Sequence, residues 1–118
     1  MALNHASPGQ ALDVRPFGAR LLTEKTAALF KSRDFELMRL VLLAGKSFPP
    51  HKVAGDITIH CLEGTLAVGL TVELANTTVT LAAGELLFLE GNALHGVTAL
   101  SDASALVTIA LKPGSARP

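Results

Sequence analysis

Apolar and polar residues alternate most clearly in Phe35-Glu36-Leu37-Met38-Arg39-Leu40, after which the run is continuously apolar to Leu43. A period of two puts one face of a segment in a core and the other towards water, so this stretch predicts a strand that starts half-exposed and ends buried. Gly45 stops it, and Ser47-Phe48-Pro49-Pro50 is expected not to continue a ladder, because proline has no N–H to donate. Asp56 to Leu62 and Thr65 to Val72 are two β-rich runs joined at Glu63-Gly64, which predicts a hairpin. Leu74-Ala75-Asn76 predicts a turn, Thr77 to Leu81 a β-branched strand, and Leu86 to Leu89 a short buried strand. His95 to Leu100 and Ala105 to Leu111 complete the set, with Ser101 and Asp102 between them. Before Phe35 the pattern is less decisive. Leu21, Leu22 and Leu29 fit a helix or a strand, and strand pieces are the preferred reading. Short strands at regular spacing, with no long helix required, predict an all-β sandwich or barrel.

Composition narrows this picture. A chain of 118 residues suits one domain. With 49% hydrophobic residues and five Phe as its only aromatics, its core must be aliphatic. The expected organisation is a flexible N-terminal segment over 1–18, one domain over 19–112 and a polar tail over 113–118. The formal net charge is zero and no basic stripe is present, which argues against a nucleic-acid partner. The longest apolar runs are too short to span a bilayer, so no membrane association is expected. A single cysteine, Cys61, rules out an internal disulfide and fits a reducing cytoplasm. Strands apolar on both faces, Leu40 to Leu43 and Ile57 to Leu62, suit a homodimer in which one sheet face covers a second subunit.

Two glycine-histidine frames stand out. Gly45 is followed by five residues and then His51, with Gly64 closing the stretch in Leu62-Glu63-Gly64. Gly84 leads a second frame in which His95 falls after Glu90, Gly91 and Asn92. In these frames, over roughly Phe35 to Leu111, the chain resembles the cupins, a family of small β-barrels. The resemblance implies an all-β fold, a cupin-type double-stranded β-helix or jelly-roll barrel. It also implies that His51 and His95 converge inside the barrel, where cupins commonly hold a divalent metal on three histidines and a glutamate. Here the second histidine position holds Val53 and the glutamate position holds Ile57. Glu90 stands for the family's proline, Asn92 for a glycine and Ala99 for an asparagine.

The resemblance therefore implies metal ligands His51 and His95, with Zn, Ni, Fe or Mn as candidate ions. His60 is the candidate third ligand, but strict alternation places it opposite Ile57, Ile59 and Cys61 unless the register slips. Cys61 then competes as an inward ligand, and Asp56 and Glu90 are oxygen donors near the mouth. Val53, Ile57, Ile59 and Cys61 are the expected pocket residues. Glu63 and Glu85, at turns, read as solvated charge, and His5 as irrelevant to a site. No nucleophile elbow, phosphate loop or H-E-x-x-H motif is present. The functional expectation is a divalent metal and a small organic molecule in an apolar barrel pocket. The alternative is a metal-free ligand-binding or sensor module, acting as a homodimer. Whether a reaction is catalysed stays open, because the fold alone does not assign one.

Overall fold

The structure, a computed structural model, describes residues 5–72 and 75–111. The first four residues, Leu74 and the tail beyond Leu111 lie outside them, while Ala75 and Asn76, expected in a turn with Leu74, are strand residues paired with Val72 and Thr71. Among the described residues nine strands follow a short 3-10 helix, Gly18–Thr23. They are β1 (Ala27–Lys31), β2 (Phe35–Leu42), β3 (Ser47–His51), β4 (Ile57–Glu63), β5 (Thr65–Val72), β6 (Ala75–Ala82), β7 (Leu86–Leu89), β8 (Leu94–Ala99) and β9 (Ala103–Ala110). They form two antiparallel sheets, a five-stranded one in the order β1-β2-β9-β4-β7 and a four-stranded one in the order β3-β8-β5-β6. The arrangement is an all-β jelly roll. Among the described residues no helix is long and apolar enough to cross a membrane.

Alternation decides what lies between the sheets. Leu40 and Leu42 from β2, Ile57, Ile59 and Cys61 from β4, Leu66 and Val68 from β5, and Val97 and Ala99 from β8 meet in one buried cluster. That cluster contains no phenylalanine and is aliphatic apart from Cys61. Residues on the other phase of the five-stranded sheet face outward. Register sets Ala27, Arg39, Leu106, His60 and Leu86 side by side in one row across it.

Three expectations are corrected. β4 and β5 do not form a hairpin. β4 pairs with β7 and β9 while β5 pairs with β6 and β8, so Glu63-Gly64 carries the chain from one sheet to the other. Gly64 makes that corner at φ 74°, packed so closely that a Cβ there would lie 2.1 Å from the Asp102 carbonyl oxygen. The segment Ser47 to His51 is a strand despite Pro49 and Pro50. It is the edge strand of its sheet, and its register on β8 shifts between Phe48 and His51, so the prolines fall where the ladder is already interrupted. In the ambiguous stretch, Leu21 and Leu22 lie in the 3-10 helix and only Leu29 lies on a strand.

Glu63, expected as solvated charge, is also different. The register of β4 on β9 slips between Cys61 and Glu63, so Glu63 pairs with Ser104 and faces outward instead of into the core. It meets Arg39, which is only 3% exposed although it lies on the outer face of β2. Arg39 Nη2 lies 3.5 Å from Glu63 Oε2 and donates to Ser104 Oγ and to the Arg15 carbonyl, at 3.1 and 2.8 Å. Ser104 Oγ in turn donates to Glu63. The N-terminal chain closes over this pair. Phe17 N and Gly18 N donate to the Glu63 carboxylate at 2.9 and 3.0 Å, and the Phe17 ring covers the Arg39 guanidinium at 3.9 Å. A charge on the outer face of a sheet is thereby withdrawn from water and paired.

Candidate functional site

The two histidines of the glycine frames come together. His51 on β3 and His95 on β8 are cross-strand partners, with ring centroids 4.6 Å apart and planes tilted by 49°. His51 is exposed at the barrel mouth, whereas His95 is only 4% exposed. Below them opens a cavity of about 140 Å³. Its walls come from Met38 and Leu40 on β2, Phe48 on β3, Ile57 and Ile59 on β4, Val97 on β8, and Val107 and Ile109 on β9, with Thr26 just before β1. Among the described residues no Asp, Glu, Lys or Arg lines it. The Thr26 hydroxyl is already engaged, accepting from Val41 N and donating to Val41 O. The two imidazoles are therefore the polar groups that the lining leaves for a ligand.

Local backbone sets their orientation in the same way. His51 Nδ1 lies 3.2 Å from the Pro49 carbonyl oxygen and His95 Nδ1 lies 2.9 Å from that of Ala93. A carbonyl has no proton to give, so in each contact the ring Nδ1–H donates. The loop before β8 presents that carbonyl because Asn92 takes the left-handed conformation at φ 68°, as a glycine would. Asn92 N donates to Val53 O at 2.7 Å, and Gly91 N to Asp56 Oδ1 at 2.9 Å. Asn92 thus supplies the backbone shape expected of the glycine it replaces.

The other predicted site residues divide. Ile57 and Ile59 line the cavity. Val53 packs against the core cluster without lining the cavity, and Cys61 is wholly buried beneath it. The Cys61 thiol points to the carbonyls of Glu63 and Gly64, at 3.5 and 3.4 Å, and burial pushes its pKa up. His60 does not join His51 and His95. Its register partners are Leu106 and Leu86, on the outer row of the sheet, while Ile57, Ile59 and Cys61 take the inward phase. Asp56 is held as acceptor for Gly91 N. The sequence reading missed Met38, Leu40, Val97, Val107 and Ile109 as lining residues. The signal was present in β9, where Val107 and Ile109 share a phase with buried Ala103 and Ala105.

A transition metal in such a barrel needs about three protein donors. Among the described residues no three His, Cys, Asp or Glu side chains come together. The position of the expected glutamate, Ile57, is instead an apolar wall of the cavity. Two imidazoles facing an apolar wall do not fit a resident metal held on a full ligand set.

No family model matches the chain, and no curated protein sequence matches it. Its fold has clear counterparts among solved structures. A cupin superfamily protein from Desulfitobacterium hafniense superposes with a TM-score of 0.72 at 16% identity, over 90% of this chain and 99% of that one. A conserved protein of unknown function from Streptococcus pyogenes gives 0.68 at 18% identity, over 93% and 95%. Oxalate decarboxylase of Bacillus subtilis, described with Mn(II) centres, gives 0.64 at 17% identity, over 67% of this chain but 22% of that enzyme.

Proposed function

We propose that this chain, which has the fold of the small cupins, binds a small uncharged organic molecule directly in its barrel, without a resident metal. The observation that carries this reading is the cavity itself: apolar walls, no Asp, Glu, Lys or Arg among the described residues that line it, and two imidazoles at one end. Ligand sites are commonly apolar with a few placed polar groups. An apolar cavity of about 150 Å³ accommodates a molecule the size of benzene, so a cavity of this volume suits one ring or a short branched chain. Binding of toluene, followed by backbone amide shifts, tests it. Saturable shifts at Ile59, Val97 and Val107 are expected. Val107→Phe, which fills the cavity from β9, should abolish them while the protein stays folded; binding that survives Val107→Phe would place the site elsewhere.

A homodimer is favoured by a separate observation. On the outer face of the edge strand β7, Leu86 and Phe88 are 62% and 58% exposed, beside Thr58 and half-buried His60 on β4. An exposed apolar edge of this kind is normally covered. Sedimentation at micromolar concentration should give a dimer that Phe88→Glu dissociates. A wild-type monomer, or a dimer indifferent to this change, would contradict the pairing through β7.

A further inference from the structure

We infer that the ligand of this cavity carries a hydrogen-bond donor, a neutral hydroxyl on a body about the size of benzene, and that the hydroxyl is received by Nε2 of His95. The inference rests on the reading of the cavity as the binding site and adds the chemical class of what enters it.

His95 Nδ1 donates to the Ala93 carbonyl at 2.9 Å, so in the neutral ring Nε2 carries the lone pair. Nε2 makes no hydrogen bond to any of the described residues, in a side chain that is only 4% exposed and lines the cavity. The Nε2 atom itself stays accessible through the cavity, so water can meet its lone pair in the free protein, and a ligand that displaces that water must bring a donor of its own to match it. His51 repeats the arrangement at the mouth, with Nδ1 turned to Pro49 O. The two free edges thus present acceptors together, beside a wall whose described residues offer no side-chain donor except the already engaged hydroxyl of Thr26.

This sorts possible ligands by chemistry. A hydrocarbon fills the volume but leaves the Nε2 lone pair unmatched. A carboxylate brings a negative charge and two acceptors to a wall where, among the described residues, no Lys or Arg stands and the Thr26 hydroxyl is already engaged, so it is penalised twice. A phenol or small alcohol matches both the apolar walls and the imidazole edge. Discrimination by a site built to receive one hydroxyl is characteristically larger than discrimination by volume alone.

The test compares phenol, toluene, fluorobenzene and benzoate, which share one ring, by NMR titration of the full-length protein. In parallel, two-bond ¹H–¹⁵N spectra read the His95 ring nitrogens. The expected result is an unprotonated Nε2 in the free protein that shifts when phenol binds. Phenol should bind roughly ten-fold more tightly than toluene or fluorobenzene, and benzoate should not bind. Equal affinity for phenol and toluene, tighter binding of benzoate, or a proton on Nε2 in the neutral ring would overturn the inference while leaving the cavity as a binding site. Failure of all four to bind would overturn the inference and the site together.

Discussion

Glu63→Ala is expected to destabilise the fold by about 3–5 kcal/mol, the usual cost of removing one partner from a buried ion pair. Glu63 accepts from Ser104, from Phe17 N and from Gly18 N, and lies 3.5 Å from the Arg39 guanidinium. Without it, Arg39 keeps its charge in a place where only 3% of the residue meets solvent and where Nε already has no partner. Its own pKa is lowered by burial, which Glu63 opposes. The N-terminal chain loses both backbone anchors at once, so hydrogen exchange at Phe17 and Gly18 should rise with the loss of stability. Urea denaturation measures the first effect and exchange the second.

The same cluster has a pH signature. Burial pushes the Glu63 pKa up, but the hydrogen bonds from Ser104, Phe17 and Gly18, with the Arg39 charge, outweigh it, and the net shift is downward. A carboxylate held below its ordinary range stabilises the fold fully above that range, and the contribution is lost as pH falls through the folded value. The stability gap between the wild type and Glu63→Gln should therefore be widest near neutral pH and close on acidification. A gap that widens in acid would show that the carboxylate is not the stabilising form.

Gly64→Ala is the second large effect, on the order of 4 kcal/mol, since a left-handed alanine costs about 1–2 kcal/mol before any overlap is counted. The overlap is severe. The added Cβ would lie 2.1 Å from the Asp102 oxygen and 2.8 Å from Ala103 Cα, both backbone atoms that cannot swing aside. Because this corner carries the chain between the two sheets, the loss should appear as global unfolding in urea. Gly84→Ala, at φ 93° with nothing within 4 Å of an added Cβ, should cost only the conformational part.

This contrast explains what the sequence could disclose. Alternation along Phe35 to Leu40 and the β-branched runs gave the strands, because a two-residue period is local. Partner choice is not local. Glu63-Gly64 looks the same whether the next strand returns beside β4 or crosses to the other sheet, and here it crosses. Arg39 sits at an outward position where solvent is the usual neighbour; its burial depends on Phe17 and the Arg15 carbonyl, distant in sequence. The single slip before Glu63 turned an apparent turn carboxylate into the partner of that arginine. At the site, the glycine frames identified His51 and His95, which the β3–β8 register then brings face to face. The same reading entertained His60, which alternation sends to the opposite face. The apolar lining from β2, β8 and β9 could not be assigned before the sheets were assembled.

On the function proposed above, the barrel receives an organic molecule on its own imidazoles and walls. Titrating phenol into the protein before and after exhaustive chelation tests it most directly. The affinity should be unchanged, with the shifts still centred on His95, Val97 and Ile59. Loss of binding on chelation, restored by one equivalent of zinc or manganese, would contradict it and return the site to metal chemistry.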